Sequence, residues 1–72
     1  MPETEMQHWR RRGRELNKLT KTRLCALYRD LGGLGGIHPP EEWRKDEIIT
    51  SITEMEWNRL PEEQKAPEAA AS

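Results

Sequence analysis

Thiols are nearly missing from this 72-residue chain, whose one cysteine is Cys25. A lone cysteine excludes an intramolecular disulfide framework and leaves no thiol cluster to hold a structural zinc, so a reducing cytoplasm is the natural compartment. Long apolar runs are missing too. No stretch approaches the ~20 residues that span a bilayer, and the acidic start Met1-Pro2-Glu3-Thr4-Glu5 has no apolar segment of the secretory kind. The expectation is a protein with no membrane association and no visible export route. The run Gly32-Gly33-Leu34-Gly35-Gly36 is not followed by the Gly-Lys-Ser/Thr of a phosphate-cradling loop, and a helical pattern rather than a strand precedes it, which argues against a nucleotide site. No base, orienting group and nucleophile converge around Cys25, so no catalytic residue, cofactor or metal ligand is assigned. His8 and His38 stand apart from other ligating residues and read as solvated or hydrogen-bonded surface histidines. Cys25 reads as a small buried hydrophobe.

Charge is what the chain has in abundance, at 35% of residues against 33% hydrophobic. A chain this short forms one domain with a small core and loose ends. Its net charge of −1 conceals an asymmetry. Residues 1–30 carry eight Lys or Arg against four Asp or Glu, a surplus of +4, whereas residues 31–72 carry four against nine, a deficit of −5. Such a dipole can offer a cationic face to a polyanion while the acidic half maintains solubility.

The hydrophobic periodicity predicts an all-α fold. Met6, Trp9, Gly13 and Leu16 recur at steps of three and four and predict a basic amphipathic helix over residues 4–17, within an N-terminal unit 1–18. Thr20 is a plausible N-cap, able to accept a bond from the N–H of Thr22 or Arg23. Leu24, Leu27, Tyr28 and Leu31 then follow the helical period, and Gly32 ends it by taking the left-handed conformation. From Gly32 to Glu42, glycines and the Pro39-Pro40 pair predict an extended loop, with Leu34, Ile37 and Trp43 as its anchors. A second helix is predicted from Trp43 to Leu60, burying Ile48, Ile49, Ile52, Met55 and Leu60 and closed by Pro61, so that 19–60 form the domain proper. Residues 61–72 have almost nothing to bury and predict a disordered tail.

The segment from Leu19-Thr20 through Leu24 to Gly32, followed after the loop by Arg44-Lys45-Asp46-Glu47-Ile48-Ile49, resembles the N-terminal domain of transcription terminator Rho and the SAP family of DNA-binding motifs. The likeness spans residues 16 to 53. It differs from the family pattern in a longer loop and in Arg23, which stands where an acidic residue is common. The resemblance implies a helix–extended loop–helix domain and a leaning toward nucleic acid, although modules of the same shape also bind proteins.

The candidate binding residues are Arg10, Arg11, Arg12, Arg14, Lys18, Lys21 and Arg23, with Arg44 and Lys45 where the loop meets the second helix. Cations so clustered can displace counterions from a phosphate backbone, giving salt-dependent affinity largely indifferent to base sequence. The bland reading is an ordinary solvated helix face, and for Arg44 and Lys45 local pairing with Glu41, Glu42 or Glu47. Trp9 reads first as a strut of the helix stripe and second as a base-stacking ring. Trp57, on the far side of its helix from Ile48, reads as packing under the N-terminal helix or else as a partner surface. The function expected is therefore a small non-enzymatic accessory or regulatory protein that contacts nucleic acid, DNA more than RNA, through phosphates. The alternative is an interaction module anchored by Trp9 and Trp57, for example a phage factor binding a host protein.

Overall fold

The computed structural model describes residues 2–34 and 36–66, and within them the chain is all-helical: α1 (Glu5–Asn17), α2 (Lys21–Asp30) and α3 (Lys45–Arg59), with short 3₁₀ turns at Pro40–Glu42 and Glu62–Gln64. No described helix is long and apolar enough to cross a membrane.

Each helix begins where a side chain can satisfy free backbone donors. Thr4 caps α1 reciprocally with Gln7: its Oγ accepts the Gln7 N–H at 3.2 Å while the Gln7 side-chain oxygen accepts the Thr4 N–H at 3.0 Å. Thr20 caps α2 by accepting the Arg23 N–H at 3.3 Å, one of the two partners expected. The start of α3 is two residues later than the periodicity suggests, because Trp43 and Arg44 are extended; the Glu47 carboxylate then accepts the Arg44 N–H at 3.2 Å.

Gly32 ends α2 as expected, with φ +88°. The Gly33 N–H reaches the Tyr28 carbonyl at 3.0 Å and the Gly32 N–H the Arg29 carbonyl at 2.9 Å, which is the paired closure of a left-handed cap. The Arg59 guanidinium donates to the Leu31 carbonyl, joining the C-terminal ends of α2 and α3. At the opposite end, Lys45 Nζ donates to the Asn17 carbonyl at 2.7 Å, so α3 begins beside the end of α1 and close to where α2 starts. α2 and α3 therefore run in the same direction, and the connection must travel back along the 15 residues of α3, about 22 Å. A tight turn could not make that return, which is why the connection is long and extended.

The core is Leu16 of α1, Leu24, Cys25 and Tyr28 of α2, and Ile48 and Ile52 of α3, with Leu19, Leu27, Leu31, Trp43, Ile49 and Met55 packed around it. Three expectations need correction. The loop is not anchored by Leu34 or Ile37, which are 94% and 96% exposed; its footholds are the buried Pro40 and Trp43, whose ring meets Tyr28 edge-on at 5.2 Å. Proline's fixed φ starts the 3₁₀ turn against α2. The buried face of α1 is also rotated from the predicted stripe: Met6 is 53% exposed and His8, expected at the surface, is 3% exposed. The His8 ring lies against Trp57 at a centroid distance of 5.3 Å, because α3 crosses on that side. Thirdly, the expected loose tail starts as structure. Residues 62–64 form a 3₁₀ turn, the Ala66 N–H bonds the Glu3 carbonyl at 2.8 Å, and Lys65 Nζ sits 5.2 Å over the Trp57 ring. The rest of that tail, residues 67–72, lies outside the described residues.

Candidate functional site

The nine cations singled out by the sequence divide into two groups. Arg10, Arg14 and Lys18 follow one another at four-residue steps, about 6 Å of axial rise each, along the side of α1 turned away from Leu16. All three are exposed, and none is held in an ion pair among the described residues. Arg44 is exposed at the N-cap of α3, and the bond from Lys45 to Asn17 brings it to the end of α1 where Lys18 lies. Arg10, Arg14, Lys18 and Arg44 form a strip of exposed cations with no ion-pair partner among the described residues.

Of the others, Arg11, Arg12 and Lys45 are bonded inside the fold, whereas Lys21 and Arg23 are exposed. Arg11 donates through Nε and Nη2 to the Glu3 carboxylate, both at 3.0 Å, and through Nη1 to Glu15 at 2.6 Å. Arg12 makes a two-pronged pair with Glu56 of α3, both bonds 2.8 Å, with its side chain only 23% exposed. That geometry locks α1 onto α3, since the planar guanidinium matches the carboxylate with two parallel bonds. Lys45 caps the last turn of α1, where a cation offsets the negative end of the helix dipole. Lys21 is exposed near Glu41, whose carboxyl is held below its ordinary range chiefly by the hydrogen bond from Arg29 and slightly by the Lys21 charge. Arg23 is exposed in the wall of a groove between α1 and α2 that Glu15 and Asp30 also line.

His8 and Glu56 did not announce themselves in the sequence. A histidine one position from the apolar stripe gives no sign of burial, and Glu56 lies 44 residues from the arginine it holds. Both His8 ring nitrogens are buried without a hydrogen-bond partner, and Nδ1 is 3.9 Å from the Glu3 carboxylate, which Arg11 already occupies. No group of three or more His, Cys, Asp or Glu suited to a metal ion occurs among the described residues.

The hydrogen bond from Arg11 holds the Glu3 carboxyl below its ordinary range, with partial burial opposing and the Arg11 and His8 charges assisting. A depressed carboxyl stabilises the fold above the unfolded-state value and loses that contribution as pH falls through the folded one. Acidification below about pH 4 should therefore loosen the clasp between residues 2–4 and 65–66. The Ala66 amide, bonded to Glu3, should lose hydrogen-exchange protection several-fold while core amides of α2 and α3 retain theirs; equal retention at Ala66 would show that Glu3 is not what fastens the ends.

All four aromatic residues are buried or half-buried, Tyr28 and Trp43 against each other and Trp57 between His8 and Lys65. Trp57 thus packs beneath α1, the first of its two expected roles. The arrangement offers a rigid cationic edge without an exposed stacking ring, which suits charge-based contact with an anionic polymer. No protein-family model matches the sequence, and comparison with curated proteins and with solved structures finds no significant match.

Proposed function

We propose that the protein is a non-enzymatic nucleic-acid-binding module that grips the phosphates of duplex DNA through Arg10, Arg14, Lys18 and Arg44. The observation that carries this reading is the straight run of unpaired cations on the outer side of α1, ending beside the first turn of α3. Other arginines of the same segment are consumed by internal glutamates, so the charge left over is not a by-product of a cation-rich sequence. The likeness to SAP and Rho N-terminal domains supports the same class of ligand and the helix–extended loop–helix arrangement of 19–60.

Duplex is favoured over single strand on physical grounds. Readers of single strands stack bases on exposed aromatic rings, and here each ring is at least half covered. Phosphate contacts position a protein but carry little base information, so binding is weak and largely indifferent to sequence. The acidic residues Glu47 and Glu54 on the exposed side of α3 discourage wrapping and confine contact to one edge.

Four phosphate contacts give a salt slope near −3.6, or an affinity loss of about 150-fold between about 50 and about 200 mM salt. Anisotropy titration of a labelled random duplex at the two salt concentrations measures it, with a single strand of equal length as the weaker competitor. Absence of binding at the lower salt, or affinity that does not change with salt, would sink the proposal.

A further inference from the structure

α2 carries Arg23, Ala26 and Asp30, all exposed, and the half-buried Leu27. Their spacing of three, four and seven puts them on one stripe of the helix. With Leu16 and Leu19 they line a groove of about 470 Å³ between α1 and α2, whose facing wall is Arg12 and Glu15. Those two wall residues are spoken for: Arg12 by Glu56, and Glu15 by Arg11. Arg23 and Asp30 are not. Both are exposed and neither is in an ion pair among the described residues, and seven residues of helix, about 10 Å of rise, keep them from reaching each other.

This stripe is complementary to itself when reversed. A two-fold axis midway between Ala26 and Leu27 sets Arg23 against Asp30 of a second copy, Asp30 against that copy's Arg23, and each Ala26 against a Leu27. Small faces large at the centre, and opposite charges meet at both ends. Such mutual matching is what a closed two-fold contact requires. The methyl-sized Ala26 lets two helices approach to the short end of the usual 8–10 Å separation.

We propose that the protein pairs with a second copy of itself through antiparallel α2 helices. The apolar part of the contact is Ala26 with the half-buried Leu19 and Leu27, which also pack on the protomer's own core. A standard interface takes about 800 Å² from each partner, about 15% of the 5316 Å² surface of this chain, and one 10-residue helix with its flanking groove falls at the lower end of that range. A contact of that size belongs to weak, reversible association, so the dimer forms as protein concentration rises. Arg23 belongs to this contact and not to the cationic strip, so the pairing stands or falls independently of DNA binding.

Sedimentation equilibrium from about 10 μM to about 1 mM should show the mass rising from 8.5 kDa toward twice that value. Arg23→Asp and Asp30→Arg should each hold the protein at the monomer mass over the same range, with unchanged circular dichroism because both side chains are solvent-exposed. Mixing the two variants in equal amounts is the decisive arm. One copy then presents two acids where the other presents two bases, and the doubled mass should return. A wild-type chain that stays monomeric at the highest concentration overturns the proposal. So does a mixture that fails to associate, or single variants that dimerise as the wild type does.

Discussion

Reversing the outer charges of α1, with Arg10→Glu, Arg14→Glu and Lys18→Glu together, is expected to abolish duplex binding and leave the fold intact. None of these side chains has a partner among the described residues, and exposed substitutions of this kind shift stability by about 0.5 kcal/mol each at most. Removing three of four phosphate contacts should flatten the salt slope from about −3.6 toward −0.9, and the introduced carboxylates add repulsion. The matched control is Arg12→Glu, which the sequence alone would place in the same binding surface. Its guanidinium is mostly covered and holds Glu56 by two bonds, so a carboxylate there sets like charges together at the α1–α3 contact. A loss of about 2–3 kcal/mol is expected, which lowers the melting temperature of a domain this size by about 10–20 °C. Anisotropy titration and thermal melts of both variants separate the two roles. If the triple variant melts early, or Arg12→Glu melts normally and only binding suffers, the division between gripping and structural arginines is wrong.

Gly33→Ala is the second substitution with a large expected effect, and its cause is steric. A Cβ at Gly33 would lie 2.3 Å from the Tyr28 ring and within 2.6 Å of three of its atoms. The ring cannot simply swing aside, because it is buried and packed edge-on against Trp43, one of the two footholds of the loop. Displacing Tyr28 therefore disturbs the α2 cap, the loop and the approach to α3 at once, and overpacking of this kind costs about 1–3 kcal/mol or more. Gly13→Ala provides the opposite result from the same chemical change. Nothing lies within 4 Å of a Cβ at Gly13, in the middle of α1, so alanine there should stabilise by about 0.5–1 kcal/mol. Urea melts monitored by circular dichroism and by tryptophan fluorescence read both. Equal stability of the two variants would contradict the close packing of Gly33 on Tyr28.

Three helices, their caps at Thr20 and Gly32 and the stop at Pro61 could be read directly from the residues, since each depends on hydrogen bonds and dihedral preferences within four or five positions. The hydrophobic period instead places Thr4 inside the first helix, which it caps together with Gln7 three residues on. The candidate site was legible only as a pool of cations. Its members could be named, but the arginine triplet Arg10-Arg11-Arg12 has one residue facing outward and unpaired, one clasping Glu3 and one clasping Glu56. Successive residues on a helix turn by about 100°, so neighbours in sequence meet different surroundings, and those surroundings are set by which helix packs on which side.

The order of residues by itself determined where the three long helices form, to within two residues at their ends, and how much positive charge the first half of the chain carries. Tertiary packing alone decided which of those charges remain available, that His8 is buried against Trp57, and that Pro40 and Trp43 hold the loop while Leu34 and Ile37 stand in solvent. Helix formation is governed by contacts a few residues apart, whereas the pairing of Arg12 with Glu56 joins positions 44 residues apart and exists only once α1 lies against α3.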